Sequence, residues 1–565
     1  MKLLPLLLLL LLPAVVQAQF TFKTNNGAIT ITGYTGNPTT LDIPSKTNGY
    51  PVTSIGTVAF SYCTSLTSVT LPTSITNIGF GAFNDCSSLA TISIPNSVTT
   101  IGANAFGFSG LTDVTIPNSV TNIGYAPFLD CGSLTSITVN TGNPAYCSVA
   151  GVLFNKSTNT LIQYPGGKAG GYAISNSVTT IGESAFAWTS LTNVTIPNSV
   201  TNIGKNAFNW CASLVNVTIG TNVTTIGDSA FYSTSLASVT LPNRLISIGS
   251  DAFAYLTSLT SVAIPPSVTT LGAGAFGYSG LTNVTIPNSV TNIGYAPFDN
   301  CINLTAITVN ASNRAYCSVA GVLFDKSTNT LIQYPGGQAG GYAIPTSVIT
   351  IGESAFHGAS LTGVTIPSSV TNICDFAFSA TSLIGVTIPN SVTAIGMQAF
   401  YWCTSLINVT IGTNVTTIGF GAFYNTSLTN ITIPNRVTTI GANAFAYNAS
   451  LRQVYFAGNA PTADSSLFMH DSVTVYYVPT ETGWSNFSSK TGIPVIPWLP
   501  TMQTSGPGFG FNINWASGQT VVVVASTNLV DWQPMQTNPL TTGSAYFSDP
   551  QWTNYPGRFY RLRSP

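Results

Sequence analysis

The sequence predicts a β-rich solenoid of stacked repeats, with a parallel sheet along one face and short helical turns at the corners. An apolar residue followed by glycine, usually Ile-Gly, recurs at steps of 22 or 23 residues. A strand-like alternation, Leu-x-x-Val-x-Ile, follows it in a fixed frame. Whole segments are also copied, since SVTNIGYAPF occupies residues 119–128 and again residues 289–298. Repetition at this period is typical of solenoids, whose units bury their apolar faces only against their neighbours.

The first element, residues 1–18, is predicted to be a secretory signal peptide. It has one lysine, an apolar run of about a dozen residues and the small-residue exit Val16-Gln17-Ala18. The run is too short, and too interrupted by Pro5 and Pro13, for a membrane span of about 20 residues. We therefore expect an exported chain, secreted or at the cell surface, with no transmembrane span after cleavage. Residues 19–50 then form an N-terminal capping segment.

The repeats themselves are predicted to fill residues 51–456. The apolar residue before the glycine, called here the ruler residue, marks 15 units. Cys374 replaces the glycine after one of them, and the steps are regular apart from two of 58 residues. The ruler residues are Ile55, Ile78, Ile101, Ile123, Ile181, Ile203, Ile226, Ile248, Leu271, Ile293, Ile351, Ile373, Ile395, Ile418 and Ile440.

Each 58-residue step contains one ordinary unit and an insert, at about residues 140–174 and 310–344. In the first insert, apolar residues 152–154 and 161–162 flank a polar turn at 155–160. This pattern predicts a β-hairpin, and the second insert repeats it.

After the repeats, residues 457–497 are predicted to be a C-terminal cap, and residues 498–565 a small β-sandwich-like module. The module contains five short β-prone segments separated by Gly, Asn and Pro, among them TVVVVAST and SAYFSD.

The repeat unit resembles the BspA-type leucine-rich repeat, Leu-x-x-Ile-x-Ile-Pro-x-x-Val-x-x-Ile-Gly-x-x-Ala-Phe-x-x-Cys. The resemblance covers roughly residues 38–456 and recurs in all 15 units. It implies a curved right-handed solenoid with a parallel sheet along one face. It also implies a secreted or surface protein that binds other proteins or host matrix.

Charged residues are unusually scarce. Asp, Glu, Lys and Arg make up 5% of the chain, compared with about 25% in ordinary soluble domains. The net charge of −1 provides no field that would attract nucleic acid. We therefore expect no nucleic-acid partner and a surface of Thr, Ser, Asn and Gly.

The residues needed for catalysis or cofactor binding are sparse. His357 and His470 are 113 positions apart, and no cluster of cysteines or carboxylates has metal-ligand spacing around them. The sequence therefore predicts no enzyme, no catalytic or metal site and no cofactor.

The nine cysteines allow two interpretations. Six stand eight residues after a ruler residue, a position that otherwise holds mainly small side chains, and this pattern favours buried thiols. An exported protein also permits disulfides. The candidate pairs are Cys131 with Cys147 and Cys301 with Cys317, which share a spacing of 16.

The candidate ligand face is a row of threonines. Each follows the buried Val or Ile of a strand and is predicted to point to solvent, because side chains alternate along a strand. The row is either a solvated strand surface with high β-propensity or a flat neutral face for an extended ligand. Its members are Thr70, Thr115, Thr138, Thr195, Thr218, Thr240, Thr285, Thr308, Thr365, Thr387, Thr410 and Thr432.

Together these features predict an exported, non-catalytic binding or adhesion protein that uses a repeat solenoid for protein or cell-surface recognition. One alternative is a glycan-binding surface protein, in which Tyr125, Tyr278, Tyr295 and Tyr401 flank polar sugars. The other is a purely structural surface array, suggested by the threonine row.

Overall fold

The structure is a computed structural model that describes residues 19–478, 481–497, 509–514, 519–527, 531–541, 544–554 and 558–563. The predicted signal peptide lies outside the described residues. The chain forms two compact units, one ending at Ser279 and one beginning at Gly280, and each is described by itself.

The first unit opens with a cap that closes the end of the hydrophobic core. Strands Gln19–Asn25 and Ala28–Thr35 form an antiparallel hairpin, and Ala28–Thr35 pairs in parallel with Tyr50–Ile55. Phe20 and Tyr34 pack their rings 6.3 and 6.4 Å from the ring of Phe60, the first phenylalanine of the core. The cap strands are Gln19–Asn25, Ala28–Thr35, Thr40–Asp42, Lys46–Thr47 and Tyr50–Ile55.

Two rows of parallel strands then run along the repeats of the first unit, each called here a ladder although each is divided into shorter sheets. The ruler ladder consists of two-residue strands, each ending at a ruler residue: Asn77–Ile78, Thr100–Ile101, Asn122–Ile123, Thr180–Ile181, Asn202–Ile203, Thr225–Ile226, Ser247–Ile248 and Thr270–Leu271. The threonine ladder carries the candidate ligand face: Ser68–Thr70, Thr91–Ile92, Asp113–Ile116, Ser136–Val139, Gly170–Ala173, Leu191–Thr195 and Asn216–Thr218. The β-solenoid is thus confirmed, and the structure adds a second ladder to the predicted sheet.

The corners between the ladders are hydrogen-bonded turns that hold one rung to the next. Within a rung, the amide of Ala82 donates to the Gly79 carbonyl at 3.3 Å. Between rungs, the amide of Phe83 donates to the Ala105 carbonyl at 2.8 Å. The predicted helical turns are therefore single turns whose remaining amides bond across the stack, so no helix propagates from them.

The corner phenylalanines form the centre of the core. Phe83 is fully buried, and its ring stacks 5.6 Å from that of Phe106 on the next rung. The same position continues along the first unit, with a tyrosine at the insert: Phe60, Phe83, Phe106, Phe128, Tyr164, Phe186, Phe208, Phe231, Phe253 and Phe276.

The glycine after the ruler residue marks the closest approach of consecutive rungs. A Cβ on Gly204 would lie 2.7 Å from the Ile181 carbonyl oxygen and 2.9 Å from the Gly182 carbonyl carbon. A side chain there requires the backbone of one rung to shift, which explains the regularity of the Ile-Gly pair.

The first insert is an antiparallel meander that rejoins the stack. Its strands are Tyr146–Val149, Val152–Asn155 and Thr160–Gln163, and the last pairs in parallel with Thr180–Ile181 of the next rung. The predicted hairpin is thus present and has one further strand. Asn143 anchors it, because its buried side chain donates to the carbonyls of Pro117 and Val120 at 2.8 and 2.9 Å.

The second unit repeats this architecture, with an equivalent insert at Tyr316–Val319, Val322–Asp325 and Thr330–Gln333. Its ruler ladder is Asn292–Ile293, Thr350–Ile351, Asn372–Ile373, Ala394–Ile395, Thr417–Ile418 and Thr439–Ile440. Its threonine ladder is Asn283–Ile286, Ala306–Val309, Gly340–Ala343, Leu361–Thr365, Gly385–Thr387, Asn408–Thr410, Asn430–Ile433 and Gln453–Phe456.

The C-terminal cap extends the threonine ladder of the second unit with strands Thr474–Tyr477 and Val495–Pro497. Between them lies the single α-helix of the described residues, Trp484–Thr491. Trp484 is 3% exposed and packs its ring 4.9 Å from that of Phe456, which closes this end of the core.

Five strands follow the cap, in a two-stranded and a three-stranded sheet. They enclose a small core of their own, made of Phe511, Ile513, Val521, Val523, Leu540 and Phe547. The strands are Phe509–Asn514, Gln519–Ser526, Gln533–Leu540, Ser544–Asp549 and Phe559–Arg563, with a short 3-10 turn at Trp552–Asn554.

Candidate binding surfaces

The threonine face is formed by the predicted row of twelve threonines on the threonine ladder. Eleven are exposed, and Thr432 is half-buried. Val194 is 2% exposed, whereas the next residue, Thr195, points to solvent, as the alternation predicts. Thr195 and Thr218 are paired across neighbouring strands, so their side chains repeat at the strand spacing of about 4.8 Å.

The row is not continuous. Thr115 pairs with Thr138 and Thr285 with Thr308, but each insert places an alanine in the row, such as Ala173 in register with Thr195. Thr240 belongs to no strand, although it stays exposed. The structure therefore brings eleven of the threonines together in short runs of two to four rungs, and Thr70 stands alone between Asp42 and Ser93.

In the second unit the threonine face ends in a cleft of about 720 Å³. Thr387, Thr410 and Thr432 line one side, and Val521 and Leu562 of the C-terminal strands line the other. Among the described residues that line the cleft, none is ionisable.

Thr432, which lines this cleft, has a buried hydroxyl group. The Thr432 Oγ1 atom is shielded from solvent and makes no hydrogen bond within the described residues. A buried hydroxyl group without a hydrogen bond lowers the stability of the fold. Because its lining residues are uncharged, the cleft suits an uncharged ligand. Sequence reasoning missed it, because its two sides are far apart along the chain.

A second surface consists of two rows of aromatic side chains at the corners, called here the aromatic ridges. Each ring is the sixth or seventh residue after a ruler residue, except in the final cap. The ridge of the first unit consists of Trp188, Trp210, Tyr232, Tyr255 and Tyr278, with neighbouring centroids 5.0, 6.0, 4.9 and 4.4 Å apart. The ridge of the second unit consists of Tyr401, Trp402, Tyr424, Tyr447 and His470.

The ridge residues are accessible although their rings touch. Trp210 is 43% exposed, Tyr255 41% and Trp402 51%. The position of Trp402 is taken by Ala380 on the preceding rung, so a methyl group stands there in place of a ring.

Seven of the ten ridge residues have a backbone in the left-handed region, which bulky residues rarely adopt, and Tyr232, Tyr401 and Tyr424 do not. The φ angle is 60° at Trp188, 57° at Trp210 and 61° at Tyr255. All 15 repeats have a positive φ seven residues after the ruler residue. Eight of them have an aromatic residue there, and the other seven have Asp, Asn, Ser, Gly or Ala.

The turn accepts aromatic residues without requiring them. Any non-glycine side chain held in the left-handed region costs about 1–3 kcal/mol, and an aromatic pair contributes about 0.5–1.5 kcal/mol. Contact between rings on neighbouring rungs therefore offsets part of this cost where the rings are present.

The four tyrosines that the sequence suggested for glycan contact are not brought together. Tyr278 and Tyr401 belong to the aromatic ridges. Tyr125 and Tyr295, 45% and 58% exposed, lie two residues after a ruler residue, on a different part of the rung. The tryptophans and the remaining ridge tyrosines were missed, although their recurrence relative to the ruler residue was visible in the sequence.

The candidate disulfide cysteines lie in different surroundings. The Cys131 thiol is buried and donates to the Phe106 carbonyl oxygen at 3.1 Å, and burial raises its pKa to about 11. Cys147 is a half-buried free thiol on the first insert strand. Cys301 and Cys317 hold the equivalent places in the second insert. Whether either pair oxidises in solution stays a prediction.

The two histidines have unrelated environments. His357 contacts Asp299, and His470 packs its ring 4.3 Å from that of Tyr447. Within the part of the chain that the structure describes, no three His, Cys, Asp or Glu side chains are grouped as metal ligands. The same residues include no helix long and apolar enough to cross a membrane.

Stacked rungs, two parallel ladders and a central phenylalanine column define a leucine-rich-repeat solenoid. The sequence model of the BspA type leucine rich repeat region matches the chain in six copies, over residues 34–157, 179–305 and 341–481. The chain belongs to this family.

Solved structures with similarity to the chain include three bacterial proteins. A leucine-rich repeat protein from Eubacterium ventriosum is 24% identical over 61% of this chain and 97% of its own, with a TM-score of 0.48. A leucine rich cell surface protein from Faecalibacterium prausnitzii is 26% identical over 85% and 93%, with a TM-score of 0.37. The pneumococcal vaccine antigen PcpA is 16% identical over 85% and 97%, with a TM-score of 0.34. No curated protein sequence matches the chain.

Proposed function

We propose that this chain is an exported, non-catalytic binding protein that recognises a protein ligand at a cell surface or in a matrix through its threonine face. Membership of the BspA-type family supports a recognition role. The signal-like residues 1–18 support export.

The observation that carries the proposal is the exposed, in-register threonine row. Thr115 pairs with Thr138, Thr195 with Thr218 and Thr387 with Thr410. Threonine is β-branched and stiff at χ1, so a row of threonines on a ladder loses little side-chain entropy when a ligand binds. The methyl groups offer apolar contact and the hydroxyls offer hydrogen bonds at regular spacing.

The neutrality of the face bears on the kind of ligand. With 5% charged residues and a net charge of −1, the chain lacks a field that would steer a charged partner. Binding to this face should therefore depend on contact area and neutral hydrogen bonds, and should change little with ionic strength.

The test replaces Thr195, Thr218 and Thr240 together with lysine. All three are exposed, so each change should cost at most about 0.5 kcal/mol of stability. Binding should be lost, because the ammonium groups would be desolvated under the ligand. The measurement is capture of solubilised surface and matrix proteins by the immobilised chain, followed by the affinity of each captured protein for both forms.

The matched control places lysine at Ser190, Ser213 and Ser258, which are exposed at turns of the same region. This variant should bind as the parent does. If the threonine variant folds and retains the affinity of the parent, the face is only a scaffold. If neither form captures a protein, the structural-array interpretation gains support.

A further inference from the structure

We propose that each aromatic ridge is a binding site for a neutral polysaccharide, separate from the threonine face. The ridge rings project from the corner turns, whereas the threonines lie on the strands. This inference does not rest on the proposed function of the threonine face, and the two can fail independently.

The first support is that the two ridges share a pattern across a duplicated segment. Trp210 corresponds to Trp402, 192 positions later, and the segments NVTIGTNVTTIG at 216–227 and 408–419 are identical at the same offset. Tyr232 and Tyr255 likewise correspond to Tyr424 and Tyr447, again 192 positions later.

Residues next to these rings have changed between the copies. Asn209 corresponds to Tyr401 and Ser233 to Asn425, while the three rings are kept. The same offset pairs Trp188 with Ala380 and Tyr278 with His470, so the two copies share these three central rings and differ at the ends of the ridge. Seven rungs have Asp, Asn, Ser, Gly or Ala seven residues after the ruler residue, so the turn does not require the rings that the copies share.

The second support is the shape of the ridge. The ridge of the first unit is one ring wide and extends over five consecutive rungs, which is about 20 Å at the strand spacing. The ridge of the second unit has two rings on its first rung and one on each rung that follows. A standard protein interface needs roughly 800 Å² on each partner, spread in two dimensions. A narrow line of regularly spaced rings matches instead a linear polymer whose own units repeat.

The third support is the chemistry of the rings. The ridge of the first unit consists of tryptophan and tyrosine side chains, which are uncharged near neutral pH. Burial, followed by the nearness of Tyr255, raises the pKa of the Tyr232 phenol. A sugar ring has an apolar face of C–H groups that packs on an aromatic ring, and its hydroxyls bond to phenol oxygens. A charged polymer would lose hydration here without gaining an ion pair from the ridge.

Trp402 offers the most open platform. It is 51% exposed, and the equivalent residue of the preceding rung is alanine, so on that side no ridge residue stacks on the indole. The adjacent Tyr401 ring, 6.1 Å away and tilted by 34°, supplies a second contact and a hydroxyl group.

The test uses the full chain in affinity electrophoresis through gels that contain a neutral polysaccharide, and on a broad glycan array. Laminarin, xyloglucan and galactomannan are the neutral gel probes, and polygalacturonate and heparin are the charged ones. The variant is Trp210→Asn with Trp402→Asn. Asparagine occupies the same turn position at Asn300 and Asn425, so the left-handed backbone should be preserved.

At least one neutral polysaccharide should retard the parent chain and change its tryptophan fluorescence, and the double variant should bind at least tenfold more weakly. The control, Tyr125→Ala with Tyr295→Ala, removes exposed rings outside the ridges and should bind within twofold of the parent. The lysine variant of the threonine face should also keep polysaccharide binding. The proposal would be overturned if the parent chain bound no polysaccharide on gels or array, if it bound charged polymers alone, or if the folded double variant bound as tightly as the parent. It would also be overturned if the double variant lost binding to a protein ligand while no glycan bound the parent chain.

Discussion

The Nδ1 atom of His357 lies 2.7 Å from the Oδ1 atom of Asp299, although 58 positions separate them in the sequence. The second insert lies between them along the chain. The contact therefore joins the rung before the insert to the rung after it at this corner, although the strand ladder is interrupted there by the insert. The corresponding residues around the first insert, 170 positions earlier, are Leu129 and Ala187, so the pair occurs only around the second insert.

The contribution of this pair can be measured by replacing each partner with its counterpart from the first block. His357→Ala and Asp299→Leu should both fold, and the coupling between them should be about 0.2–1 kcal/mol, because both side chains are 21% exposed. A double-mutant cycle of urea unfolding gives this value. Coupling indistinguishable from zero would mean that the contact is incidental to the stack.

Asp471 should make stability depend on pH. Burial raises the pKa of its carboxyl to about 7, and the Asn448 backbone and the Arg452 guanidinium only partly oppose this. The folded chain thus holds this proton more tightly than the unfolded chain, whose aspartate pKa is about 3.9. Its effect on the free energy of unfolding is therefore most favourable below pH 4 and is lost as the pH rises to about 7.

Asp471→Asn should remove this dependence, because the amide keeps a neutral side chain of the same shape at every pH. Urea unfolding of both forms between pH 4 and pH 8 provides the measurement. The difference in free energy of unfolding should grow with pH in favour of the variant and then level off. Parallel curves would show that Asp471 is not perturbed by the fold.

The phenylalanine column should be the most sensitive part of the scaffold. Phe231 is fully buried, and its ring stacks 5.1 Å from Phe208 and 5.3 Å from Phe253. Phe231→Ala should lower the free energy of unfolding by about 3–5 kcal/mol, because it removes buried area and leaves a cavity between two rungs. Phe420→Ala, at a site 43% exposed, is the control and should change it by about 0.5 kcal/mol or less. Equal losses would contradict a core centred on the column.

The repeat made most of the scaffold predictable. A residue such as Ile203 recurs with its glycine at a fixed period, and only a stack of rungs gives every copy the same buried environment. The exposure of Thr195 followed from strand alternation alone. The ruler ladder was not predicted, because its two-residue strands are too short to show any alternation.

The two additional surfaces were harder to find. The cleft depends on how the strand that carries Val521 approaches Thr432, and no local pattern encodes that approach. The ridges depend on rings such as Trp188 and Trp210 in turns where sequence rules favour glycine or asparagine. These aromatic residues look scattered along the sequence, and their recurrence becomes visible only when the repeats are aligned on the ruler residue.

The hydrogen bonds between rungs also determine how the chain yields to tension. Each rung is held mainly by the rungs on either side of it. A force applied to both ends is therefore carried by all the interfaces in series, and they rupture one after another. An ordinary rung of 22 residues then adds about 75 Å of extended chain when it peels away. The length gained in successive ruptures would absorb mechanical work while the remaining rungs stay folded.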